Sequence, residues 1–472
     1  MKRMIQWVLA ATFVCGTGVF TACSSSDDDS AKNEPNSDRT EFVQHTRATL
    51  KDLSENLKFT SWEKANSYGD NFNQNVLTNE DFKLSFMTNT LLEGSKTIKD
   101  VEEGSDLAKQ GFKTYMTINS DSYKCRYTQS DDSKTFTHEE ADWFEIIFNG
   151  INPKTQQQET GIYKLTMKFD GSGVQKVVHF RDDPDAAVVG VLPQEVQFAL
   201  ASKIEGTWHE DFNGVMHLQF LDGETDVTKG YTADATINAD VPTASGENCK
   251  TQLTFSMTSD RVKNMGNALL CYKQDDRKMV EMTLKESGGG GARHFEPSML
   301  SNYFDSSSSS SIFDLIAVLL ESEKLDECKV TVIDDMTATF SVSDMKKSLE
   351  LTLATADARR RYASQQTVDQ YTQQLNEIIK CEVTCKGVNQ TFPMRLMTCR
   401  VGIDYLPVPA FKFADEKEYV PLVDMIGADS MQNGFYLIDQ AVEPMKQSIF
   451  IARQLMEFAM SMFGEMGMTV SE

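Results

Sequence analysis

Histidine is scarce in this chain: six occur in 472 residues. Few imidazoles are therefore on hand for metal ligation or general-base work. The chain also lacks a glycine-rich phosphate loop, a His-Glu-x-x-His pair, a Gly-x-Ser-x-Gly elbow and an EF-hand calcium loop. Phosphate-loop, zinc-protease, serine-hydrolase and EF-hand chemistry thus have no local signature, and no cofactor or metal is implied. Basic charge is short as well, with 46 Lys and Arg against 70 Asp and Glu and a net charge of −24. That balance argues against nucleic acid and against docking on anionic headgroups, and it favours cationic or neutral ligands. The one basic island, Arg359-Arg360-Arg361, reads as a solvated, ion-paired helix face. Long apolar runs are absent after residue 20, so a multi-span membrane protein is excluded.

The single apolar run, residues 4–20, carries the clearest message. Lys2-Arg3 precede it, and Thr21-Ala22-Cys23 follow it. A basic start, an apolar stretch too short to span a bilayer and a small residue before a break make a secretory signal. With Cys23 directly behind Ala22, the stretch resembles a bacterial lipoprotein signal. The resemblance implies cleavage between Ala22 and Cys23 and lipidation of Cys23, hence a membrane held through that lipid. Ser24, Ser25, Ser26, Asp27, Asp28 and Asp29 resemble the export tract of surface-exposed lipoproteins of Bacteroidota, which implies an outer-membrane address facing the cell exterior. An ordinary solvated linker is the plainer reading of the same six residues. The resemblance ends near residue 30, and residues 23–40 read as a disordered tether.

Nine cysteines are present. With Cys15 in the leader and Cys23 lipidated, Cys125, Cys249, Cys271, Cys328, Cys381, Cys385 and Cys399 remain, an odd set that cannot pair completely within one chain. Most alternate with polar residues, as in Cys381, Val383 and Cys385 against Glu382, Thr384 and Lys386. Alternate residues of a strand share a face, so these cysteines read as small buried hydrophobes. A strand would hold Cys381 and Cys385 about 13 Å apart, too far for one tetrahedral ion.

The chain divides into periods. Val43, Thr46, Leu50, Leu53 and Leu57 predict a helix, with Asp38 and Glu41 as a capping box. Trp62, Ala65, Phe72 and Val76 predict a second, and Phe82, Phe86 and Leu91-Leu92 a third, ending near Gly94. From about 112 to 285 the period is two. Tyr163, Leu165, Met167 and Phe169, then Val174, Val178 and Phe180, predict a hairpin about residues 170–173. Further hairpins are expected at Asn213-Gly214 and about residues 274–277, and Pro193 opens a predicted helix over 193–203. Glycines near 288–291 and serines over 306–311 bracket an expected domain boundary. Beyond it come a helix at 315–320, a hairpin at 328–342, a helix at 367–379 capped by Thr367 and Gln370, a hairpin at 379–401 and a methionine-rich helix at 438–463. The expected domains are 1–22, 23–40, 41–290 and 291–472.

Two constellations bear chemistry. If Asn213-Gly214 turns the chain, Glu210 faces His217, a carboxylate beside an imidazole that could support acid–base work. A cross-strand ion pair on a wet face explains the same pattern. His138, Glu139, Glu140 and Asp142 crowd carboxylates ahead of an apolar strand, though adjacent positions place a catalytic pair poorly. Gly206-Thr207-Trp208 resembles the Gly-x-Trp that opens lipocalin-like barrels. That resemblance implies a barrel whose end Trp208 closes.

The expected fold is therefore α+β: antiparallel meanders in sheets or open barrels, an N-terminal helical layer and a long C-terminal helix. The expected function is non-catalytic binding of a small molecule, glycan or protein by a lipid-anchored envelope protein. A surface hydrolase acting on glycans and an adhesin or fimbria-like subunit are the alternatives.

Overall fold

The computed structural model describes residues 38–431 other than 59–62, 153–154, 171–173, 181–182, 222–229, 244–245, 261, 264, 288–324, 387, 389 and 415, together with residues 433 and 437. The fold is mixed α+β. Two compact units emerge: the described residues within 1–60 and 243–446 form the first, and those within 61–242 the second.

The second unit opens with α2, Glu63–Phe72, which continues as a π-helical turn, Asn73–Leu77. Helix α3, Glu80–Ser95, starts where the Asn79 side chain accepts a bond from the Phe82 amide, satisfying one of the free donors of its first turn. A short helix α4, Asp106–Lys109, follows β1, Lys99–Asp100. The strands are then β2 (Thr114–Ile118), β3 (Cys125–Gln129), β4 (Phe136–Glu140), β5 (Phe144–Ile151), β6 (Gln158–Phe169), β7 (Val174–Phe180), β8 (Asp183–Leu192), β9 (Glu195–Ile204), β10 (Thr207–Phe220) and β11 (Gly230–Pro242). A small sheet has the order β1-β2-β8-β7, and a larger one runs β11-β10-β9-β6-β5-β3-β4. Pairing is antiparallel except at β2 with β8 and β3 with β5. Period-two alternation does the sorting: Tyr163, Leu165 and Met167 of β6 are buried, while Lys164, Thr166 and Lys168 face outward.

The buried side of this larger sheet is a ring core. Phe148 packs on Phe72 and Tyr163, Phe86 meets Phe144 edge to face, and Tyr68 lies between Tyr163 and Phe212. Amides tie the helices to it. Asn71 accepts from the Ile151 amide, Gln129 donates to the Asn75 carbonyl and accepts from the Asn149 amide, and Asn149 accepts from the Gly161 amide. Gly150 sits where any β-carbon would lie 2.5 Å from the Tyr163 ring.

The first unit contains α1, Asp38–Asn56, and a meander of β12 (Asn248–Asp260), β13 (Met265–Gln274), β14 (Arg277–Ser287), β15 (Leu325–Val332) and β16 (Met336–Val342). Helices α5 (Met345–Arg360) and α6 (Gln365–Ile378) interrupt it. It resumes as β17 (Ile379–Cys385), β18 (Gln390–Val401), β19 (Asp404–Phe411) and β20 (Val420–Pro421), before α7, Leu422–Ile426. These nine strands pair in sequence order, so neighbours in the chain are neighbours in the sheet. Two turns explain the short connections. Asp275 and Asp276 at β13–β14, and Ile333 and Asp334 at β15–β16, hold positive φ, as the tight primed hairpin turns require. Helix α1 docks Phe42 among Phe392, Phe411 and Phe413. The chain after α1 is anchored by Gln274, which accepts from the Lys58 amide and donates to the Lys58 carbonyl.

Several expectations change. Strands β6 and β7 do not form a hairpin: β6 pairs with β5 and β9, while β7 pairs with β8 in the other sheet. Residues 193–203 are mostly strand, because Phe198 and Leu200 alternate inward opposite Met167 and Leu165. No turn forms at Asn213-Gly214, and β10 runs straight through it. Gly214 is there for close approach, since a β-carbon would lie 2.4 Å from the Thr236 carbonyl oxygen and 2.6 Å from the Phe198 ring. Helix α6 is capped by Ser364 rather than by Thr367. Helix α1 already begins at Asp38, inside the expected tether. Strands β14 and β15, on either side of the expected boundary near 290, pair with each other. In neither unit does the sheet close into a barrel among the described residues. The helix expected at 315–320, the methionine-rich helix expected at 438–463, the leader, Cys23 and residues 24–29 lie outside the described residues.

Candidate functional site

The larger sheet of the second unit has two faces, and β10 contributes to both. Trp208 and Glu210 point outward opposite Lys203 and Ala201 of β9. A bulge between Glu210 and Phe212 then turns Asp211 and Phe212 together to the buried side, and Asn213, Val215 and His217 resume the outer face. Glu210 and His217 therefore stand seven positions apart on one strand, about 20 Å, and do not meet. Glu210 instead accepts from the Asn213 amide at 2.8 Å.

His217 has other partners. Its Nδ1 lies 2.7 Å from Asp234 of β11, and its Nε2 lies 3.3 Å from Glu195 of β9. The Asp234 hydrogen bond above all, with Glu195 adding, raises the imidazole pKa from its ordinary value. Both ring nitrogens are engaged by carboxylates on opposite edges of the ring. No free ring nitrogen is left to act as a base, and one ion could not be held by all three side chains. Among the described residues no group of three or more His, Cys, Asp or Glu side chains is arranged to hold a metal.

On the buried side of the bulge, Asp211 accepts from Lys64 of α2 at 2.5 Å and from the Tyr68 hydroxyl at 3.1 Å. Burial, reinforced by the Asp211 carboxylate, pushes the Tyr68 phenol well above its usual range. Tyr163 beside it is raised to about 12, again mainly by burial. These groups hold α2 against the bulge.

The outer face is different. Lys164 and Lys203 place their ammonium groups 5.0 and 5.7 Å from the centroid of the Trp208 ring. Lys168 lies 4.5 Å from the centroid of Trp143, which is 43% exposed at the start of β5. Thr166, Ala199 and Ala201 line the sheet between these two indoles. Trp208 thus rests on a sheet face under two lysines, and closes no barrel end. Cation–π contact is the weaker half of what such a pair can do, because both partners remain open to a ligand.

Of the acidic run ahead of β5, His138, Glu139 and Glu140 lie on strand β4 and Asp142 in the bend after it. Glu139 there pairs with Arg126, which also binds Glu145 at 2.6 Å. The seven remaining cysteines are all free thiols, five of them buried and two half-buried. Burial raises Cys381 and Cys385 to about 12 and Cys399 to about 11, so none is a ready thiolate. Reading the sequence alone does not single out Trp143, Lys164, Lys168 or Lys203. The signal was nonetheless there, in Lys164 and Lys168 alternating with buried Tyr163, Leu165 and Met167 along β6. No helix among the described residues is long and apolar enough to cross a membrane. Compared with known proteins, the chain matches no family model, no curated protein and no solved structure.

Proposed function

We propose that this chain is a non-catalytic binding protein, anchored to the outer membrane through a lipid on Cys23 and directed to the cell exterior by residues 24–29. The observation that carries the binding half is the outer face of the second unit, where Trp143 and Trp208 lie under lysines on either side of a floor of small residues. Indoles carried on a sheet give broad contact at low entropic cost. On the same face His217 is engaged by Asp234 and Glu195 and Glu210 by the Asn213 side chain, which supports binding over catalysis.

Two experiments test the halves separately. Cys23→Ala is expected to abolish lipid labelling and release the protein from membranes, and unchanged retention would refute the anchor. For binding, the mature protein is screened by thermal shift against glycans, lipids, haem and peptides. A stabilising ligand whose effect disappears in Trp208→Ala is expected. A ligand that stabilises Trp208→Ala equally, or substrate turnover at the site of binding, would refute the reading.

A further inference from the structure

We infer that the ligand of the outer face is an acidic polysaccharide, a chain of sugar rings bearing carboxylate or sulfate groups. This rests on the binding reading above and names its ligand.

Charge comes first. The chain is strongly acidic at −24, yet Lys164, Lys168 and Lys203 stand together on one sheet face. Among the described residues none of the three is in an ion pair, and each rests on an indole instead. Of the carboxylates on that face, Glu139 and Glu145 are engaged by Arg126, Glu195 and Asp234 by His217, and Glu210 by the Asn213 side-chain amide. An ammonium on an indole holds a weaker contact than it would make to an anion. An incoming carboxylate or sulfate therefore draws the flexible lysine away and uncovers the ring. The uncovered indole is then a flat apolar surface for the C–H face of a sugar. One ligand that offers both an anion and an apolar ring face satisfies both halves of each pair.

Spacing decides for a polymer. Trp143 stands beside Phe144, level with Lys168 of β6, while Trp208 is level with Ile162, read through its partner Lys203. Six residues along β6 and three strand spacings across separate the two positions, roughly 20 Å by about 14 Å. A single small molecule does not bridge that diagonal, and an extended chain does. Thr166, Ala199 and Ala201 keep the path low between the ends. Duplex nucleic acid carries one charge per about 1.7 Å and keeps its ring faces inside the stack, and three lysines do not offset the repulsion between so dense a charge and so acidic a protein. A polysaccharide with one charge per sugar carries fewer charges over the same length than a duplex and presents its ring faces outward.

The test uses the mature protein in affinity electrophoresis and calorimetry with four probes: polygalacturonate, dextran sulfate, neutral dextran and oligothymidylate. Binding to polygalacturonate or dextran sulfate is expected, and either one supports the inference while telling carboxylate from sulfate. It should weaken with added salt. The Lys164→Gln/Lys168→Gln/Lys203→Gln variant should lose about tenfold or more in affinity, and Trp143→Phe/Trp208→Phe should keep more of it than Trp143→Ala/Trp208→Ala. Unchanged melting temperatures for these variants establish that folding is intact. Equal binding of neutral dextran, or preferential binding of oligothymidylate, would overturn the acidic-glycan inference. The binding reading survives that result if Trp208→Ala still removes the interaction. Glycan binding that no Trp or Lys substitution alters would overturn both.

Discussion

The two units bury different chemistry. The second unit packs rings, Phe72, Phe86, Phe144, Phe148, Tyr68 and Tyr163 among them, and threads amides and one buried carboxylate, Asp211, through the contact with its helices. The first unit has a ring cluster about Phe42 as well, but adds sulfur: six of the seven free cysteines lie there, and Met279, Met282, Met336, Met394 and Met431 are buried. Rings with paired amides specify one arrangement, because each misplaced polar atom is left without a partner. Thioethers and thiols adapt to irregular gaps and specify less. The face that carries Trp143 and Trp208 belongs to the more tightly specified unit, as a surface that must hold two anchors at a fixed spacing requires.

The largest expected effect tests the contrast in packing. Phe148→Ala removes a fully buried ring from between Phe72 and Tyr163 and should cost about 3–5 kcal/mol. Cys328→Ala, an equally buried position in the first unit, removes one atom and should cost about 1 kcal/mol. Urea denaturation followed by circular dichroism compares the two, and equal losses would break the distinction.

A smaller effect is expected at the buried charge. Asp211→Ala leaves Tyr68 without its acceptor and Lys64 without its counter-ion, for about 2 kcal/mol. The value lies below that of a fully buried pair because Lys64 keeps partial access to water. Lys64→Met added to Asp211→Leu should recover much of the loss in a double-mutant cycle. Strict additivity would show that the two side chains do not act on one another.

His217 gives the smallest effect and a definite sign. Its folded pKa is raised, so its contribution is fully present below about 6.5 and is lost as pH rises through the folded value. With a partly exposed ring the gain is well under about 1 kcal/mol. An NMR titration of the imidazole should give a midpoint above the ordinary value, and Asp234→Asn should lower it. A midpoint unmoved by that change would remove Asp234 as the main cause.

How far the sequence reveals this follows from what periodicity encodes. Alternation in β6 identified the buried face and the wet face, since it depends on one strand alone. It could not name the neighbour: β7 carries a matching apolar pattern and yet pairs with β8 in another sheet. Asn213-Gly214 carries a hairpin signal, but here glycine serves packing against Phe198 and Thr236, and no turn follows. The sequence pattern set His217 against Glu210, whereas its partners, Glu195 and Asp234, sit on strands whose register only the folded sheet defines. Trp208 was legible as an aromatic at a strand start. The lysines above it come from two other strands and become its neighbours only through pairing.

The central claim is that the outer face of the second unit is where this protein binds. Its most direct measurement is tryptophan fluorescence of the mature protein titrated with polygalacturonate. The account predicts a saturable, salt-sensitive change that is lost in Trp143→Phe/Trp208→Phe. The same saturable change persisting in that variant, from Trp62 alone, would contradict it.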